Sequence, residues 1–133
     1  MKANGLVAAT FAWMGLIYFL SSRPGSDYST AQSWVDSVPG AEYFVHGGLF
    51  FVLGVLVFGV LRANVPQRGW LIGVDTVIFC TLYGISDEFH QTLVEGREAT
   101  GFDLIADVLG GIVAATLLLL IVRFRKKPAE TED

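Results

Sequence analysis

The chain has 133 residues, of which 53% are hydrophobic and only 17% charged, with a formal net charge of −4 and a mean hydropathy of +0.54. Soluble domains charge roughly a quarter of their residues to cover a core, so the composition points to lipid as the solvent. It leaves little length for a soluble catalytic domain, a dinucleotide-binding unit or a nucleic-acid module. Cys80 is the single cysteine, which excludes an internal disulfide, and no CxxC or Cys/His finger spacing occurs.

Four apolar blocks follow one another along the chain. Gly5 to Leu20 carries no charge, and the Ser21-Ser22-Arg23-Pro24 step after it is not a small-x-small cleavage site, so an uncleaved first helix is expected. Phe44 to Leu61 is uncharged apart from His46 near its start. Trp70 to Ile85 carries Asp75, and Leu104 to Val122 carries Asp107. At about 1.5 Å of rise per residue, each block spans roughly 24–29 Å, close to a hydrocarbon core of about 30 Å. The runs are continuous rather than alternating, which argues against a barrel. The expected fold is an all-α membrane protein, a four-transmembrane-helix bundle over residues 1–127 with helices at about 5–20, 44–61, 70–85 and 104–122. A short polar cytoplasmic tail, 128–133, follows.

Charge sets the expected orientation. Four spans place the amino terminus, the second loop and the carboxy tail on one side, together with Lys2, Arg62, Arg68, Arg123, Arg125, Lys126 and Lys127. The opposite side keeps only Arg23 and Arg97, so both termini are expected in the cytoplasm. Asp27, Asp36, Glu42, Asp87, Glu88, Glu95, Glu98, Asp103 and Asp107 fall on the outer side or at the outer helix ends. The basic carboxy-terminal run reads as an anchor at the anionic inner leaflet, not as a nucleic-acid surface.

The chemistry is therefore sought on the outer, extracytoplasmic face. Asp87, His90 and Gln91 are spaced i, i+3, i+4, so they share one face if the third helix continues, with Tyr83 one turn earlier. Asp103 and Asp107 are i, i+4 at the start of the fourth helix, where the dipole favours negative charge. Asp107 lies a turn inside an apolar run, a depth at which ionisable groups face a partner or a wet cavity. His46 occupies the matching depth on the second helix. The Gly47-Gly48 and Gly110-Gly111 pairs read as close-packing sites. Asp75 reads as a partner of Arg62 or Arg68, and Cys80 as a small packed hydrophobe.

The order of these elements resembles the VanZ-like family. The resemblance rests on Ser21-Ser22-x-Pro24 after the first helix, an acidic residue and His46 entering the second, and Asp87-Glu88-x-x-Gln91 at the end of the third. Arg97 and Asp103-x-x-x-Asp107-x-x-Gly110 complete it. The chain departs from that pattern at Tyr43, where a lysine is common, and at Asp107, where asparagine is common. The resemblance implies a small integral membrane protein, related to one linked to resistance to teicoplanin-type glycopeptides, and brings no settled reaction with it.

The expected function is an outward-facing polar site that binds or modifies a cell-envelope amphiphile, such as a lipid-linked wall precursor or a lipoglycopeptide. Asp87, Glu88 and His46 are the candidate acids and bases. Arg97 suits a phosphate or carboxylate, and Gln91, Asp103, Asp107, Ser22 and Tyr83 are candidate substrate contacts. Oxygen-rich Asp87, Glu88, Asp103 and Asp107, with His90, are weak candidates for a divalent metal, because their spacing is not diagnostic. The alternative is a non-enzymatic membrane scaffold or partner-docking protein whose polar cluster is structural.

Overall fold

The computed structural model describes residues 3–24, 38, 40–97 and 100–125, and these are helical apart from short turns. Four α-helices follow in order: α1 (Ala3–Ser21), α2 (Ala41–Asn64), α3 (Leu71–Gln91) and α4 (Gly101–Arg125), with a short 3-10 turn, Pro66–Arg68, between α2 and α3. Lys2, Asp27, Asp36, Glu98, Lys126, Lys127 and the tail 128–133 lie outside the described residues.

Helices α1, α2 and α4 contain their expected apolar blocks, α3 starts one residue later than expected, at Leu71, and all four differ at the ends. The largest difference is in α3, which runs through the polar residues 86–91 beyond Ile85. Apolar length measures what lipid requires, whereas a helix continues for as long as its backbone carbonyls find donors. Here the Thr92 N–H still reaches Glu88 O at 3.2 Å.

Helices α1, α2 and α4 are each long and apolar enough to cross a membrane. Helix α3 carries Asp75, Asp87 and Glu88, yet Val74, Ile78, Leu82, Ile85 and Phe89 form an exposed apolar stripe along it. The bundle is apolar outside as well as inside. Phe44 is 83% exposed and Phe124 is 73% exposed, which suits a hydrocarbon surrounding and not water.

The parallel pair α2 and α4 forms the centre of the bundle, with α3 against α4 and α1 against α2 and α3. The central pair touches nearly backbone to backbone. A Cβ on Gly110 would collide with the Gly47 carbonyl, and one on Gly54 would lie 2.9 Å from Ala114 Cβ. Small residues permit such an approach where helix association depends on packing rather than on expelled water. The expected pairing holds for Gly47, Gly110 and Gly111, but not for Gly48, which faces open space.

Ile17, Phe50, Leu53, Val57 and Cys80 make the buried core. Two polar clips hold α1 against it: the Trp13 Nε1–H donates to Leu49 O at 2.9 Å, and the Tyr83 hydroxyl donates to Met14 O at 2.7 Å. One end of the bundle gathers the polar residues of α1, α2, α3 and α4. The other carries Arg62, Arg68, Arg123 and Arg125, with Arg68 Nε 3.2 Å from Asp75 Oδ2.

Candidate functional site

At the polar end, the side chains separate into two clusters. In the first, between α1 and α3, Asp87 Oδ2 accepts hydrogen bonds from Ser21 Oγ at 2.8 Å and from Gln91 Nε2 at 2.9 Å, and Gln91 Nε2 lies 3.4 Å from Ser21 Oγ. All three residues are buried. The i, i+4 spacing of Asp87 and Gln91 brings both to α1, as expected of a continued helix.

Beside this cluster, the Ser22 hydroxyl donates its one proton to Tyr18 O at 2.6 Å. His90 Nε2 lies 2.9 Å from the same hydroxyl oxygen and is therefore the donor in that bond. The His90 ring stacks on Tyr18 with centroids 4.4 Å apart. Arg97 Nη2 approaches Leu20 O at 3.5 Å and ties the turn after α3 to the end of α1.

The second cluster joins three helices. His46 Nδ1 on α2 lies 3.1 Å from Asp107 Oδ1 on α4, the imidazole N–H donating to the carboxylate. Glu88 of α3 completes the group: one ligand atom from each of His46, Glu88 and Asp107 lies within 4.8 Å of the others. Asp107 is fully buried, whereas 14% of the His46 side chain is exposed. Among the described residues, nothing hydrogen-bonds the buried Glu88 Oε1 or Asp107 Oδ2. Gly84, one turn before Glu88 on α3, leaves room for that carboxylate; a Cβ there would lie 3.2 Å from Asp107 Oδ2.

Asp103 belongs to the start of α4. Its backbone N–H meets Thr100 Oγ1 at 3.3 Å, and the Thr100 hydroxyl donates to Asp103 Oδ2 at 2.8 Å, a capping arrangement that fixes the first turn. Asp103 Oδ1 remains buried without a partner.

Among the candidate metal residues named from the sequence, Glu88 and Asp107 come together, and they do so with His46 rather than with Asp87, His90 or Asp103. Tyr83 is held by its bond to Met14. Ser21 and Tyr18, absent from the expected site, are the residues that engage Asp87 and His90. Ser21 belongs to the Ser-Ser element already noted, and Tyr18 precedes Ser22 by one helical turn.

Immediately next to His46 and Asp107 in sequence, Gly47 and Ala106 begin an apolar groove of about 430 Å³ between α2 and α4, continued by Phe51, Leu109 and Val113. Gly48, whose missing side chain leaves open space, also lines it.

No curated protein and no solved structure matches the chain. The family model described as VanZ/LLP1 matches residues 6–123, which takes in the described helices apart from the start of α1 and the end of α4. With three helices able to cross a membrane, the chain is a multi-pass membrane protein that belongs to the VanZ/LLP1 family.

Proposed function

We propose that the chain acts at the extracytoplasmic face of the cell membrane on the polar head of an envelope amphiphile, a lipid-linked wall precursor or a lipoglycopeptide, and so contributes to glycopeptide resistance. Helix α3 is then the fourth span, its apolar stripe facing lipid. The arginine end faces the cytoplasm, consistent with the positive-inside bias.

The observation that carries this proposal is the meeting of His46, Glu88 and Asp107 from three helices, with two buried carboxylate oxygens that no partner among the described residues satisfies. A buried acceptor without a partner costs about 1–3 kcal/mol. Packing alone would favour its replacement, whereas a ligand that donates to it removes the cost. The adjacent groove suits an acyl or prenyl chain, so head and tail have neighbouring places.

In this assignment, Glu88 and His46 are the acid and base candidates, and Arg97 meets an anionic group at the rim. Asp87 is a positioning residue. Its cluster is buried and internally satisfied, which favours the structural role for that part of the polar end.

Lipid-resolved mass spectrometry of cells with and without the chain tests the proposal. A changed level of a wall precursor or envelope lipid is expected, together with its reversal on expression of the chain but not of Glu88→Gln at equal abundance. Identical lipid profiles and identical glycopeptide sensitivity in all three strains would overturn it.

A further inference from the structure

The geometry points to a metal centre in the second cluster: His46, Glu88 and Asp107 hold a divalent transition-metal ion of the zinc or manganese type. As the centre of a reaction, the ion rests on the pocket function proposed above; as a binding site, it stands on geometry alone.

Three observations support it. One ligand atom from each residue lies within 4.8 Å of the others. Ligands around a common ion at about 2.0–2.2 Å lie about 3.3–3.6 Å apart in a tetrahedral set, so side-chain adjustment that shortens these separations by at most about 1.5 Å closes the set. The His46–Asp107 separation of 3.1 Å already matches neighbouring ligands on one ion. Independently, Asp107 is fully buried and its Oδ2 has no hydrogen-bond partner, while Glu88 Oε1 of the same group is in the same condition. A divalent cation meets both needs at once, supplying the missing partner and offsetting the charge of the fully buried Asp107 and of the half-buried Glu88 beside it.

The ligand chemistry narrows the ion. One imidazole with two carboxylates suits zinc or manganese, whereas magnesium and calcium prefer oxygen donors throughout. Three protein ligands leave at least one position for water or a substrate oxygen, the pattern of a catalytic site rather than a closed structural one. The partly exposed His46 gives the ion a route in from the polar end. Gly84 keeps the backbone of α3 close without crowding the Asp107 carboxylate.

The test uses the full chain purified in detergent, stripped with chelator and then dialysed against Zn²⁺ or Mn²⁺, with bound metal counted by elemental mass spectrometry. The expected result is about one ion per chain for the parent and for Asp75→Asn, which lies at the opposite end. Glu88→Gln, Asp107→Asn and His46→Gln should each bind at least about tenfold more weakly, since ligand loss costs no less than loss of an outer-shell partner. Circular dichroism confirms that each variant is helical. Two results would overturn the metal site: no stoichiometric ion in the parent, or the same content in parent and ligand variants. An ion held by the parent in cells whose lipids do not respond to the chain would overturn the pocket function and leave the metal site standing. A lipid response lost in Glu88→Gln with no ion in the parent would do the reverse.

Discussion

Asp87 and Glu88 are neighbours in sequence and opposite in circumstance. One residue along a helix is a rotation of about 100°, which turns Asp87 toward α1 and Glu88 toward α2 and α4. Asp87 finds a serine hydroxyl and a glutamine amide and lies in a closed, satisfied network. Glu88 finds an imidazole and another carboxylate, and both acids retain a buried oxygen without a partner. A satisfied buried network stabilises a bundle and fixes helix register. An unsatisfied one carries a cost of about 1–3 kcal/mol per group, which the proposed ligand would offset. The polar residues at one end of this bundle thus fall into two clusters that differ in how fully their hydrogen bonds are satisfied.

The division can be broken experimentally. The largest effect is expected from Asp87→Ala, which strands the Ser21 hydroxyl and the Gln91 amide in a buried place. At about 1–3 kcal/mol for each stranded group, thermal unfolding in detergent should show a loss of roughly 2–6 kcal/mol and lower abundance in cells. Gly110→Ala comes next. Its Cβ would press on the Gly47 carbonyl, separate α2 from α4 at the level of His46 and Asp107, and cost about 1–3 kcal/mol, with the function of the second cluster lost while the first is untouched.

Glu88→Gln should behave in the opposite way to Asp87→Ala. It alters a half-buried carboxylate whose Oε1 has no hydrogen-bond partner among the described residues, so stability should stay within about 1 kcal/mol of the parent or rise, while the lipid response disappears and metal binding weakens at least about tenfold. Ser22→Ala removes a partly buried bond to His90 and should lower stability by about 0.5–1 kcal/mol without loss of function. Asp75→Asn loosens an ion pair whose members are 47% and 27% exposed. A change near the lower end of the usual 0–1 kcal/mol for such pairs is expected in the same unfolding measurement.

Much of this was legible in the sequence because membrane helices obey strong local rules. The uncharged run from Gly5 to Leu20 and the single-charge runs around Asp75 and Asp107 locate the helices by length alone. The i, i+4 relation of Asp87 and Gln91 located one face of α3. What the sequence did not contain was the partner across the bundle. Ser21 and Ser22 are adjacent and chemically alike, yet the helix turns one to Asp87 and the other to His90. His46 and Asp107 are 61 positions apart, and the close crossing of α2 and α4, set by Gly47, Gly54 and Gly110, brings them together, with Glu88 of α3 joining the group. The ends of α3 were equally hidden, because hydropathy stops at Ile85 while backbone hydrogen bonding does not.

The most direct test of the central claim compares Glu88→Gln and Asp87→Ala in the same cells, with protein abundance and envelope-lipid profile measured together. The two clusters predict Glu88→Gln at parental abundance with the lipid response gone, and Asp87→Ala at reduced abundance with a response that falls only in proportion. Abundance lost in Glu88→Gln to the same degree as its response would make the second cluster as structural as the first and contradict the account.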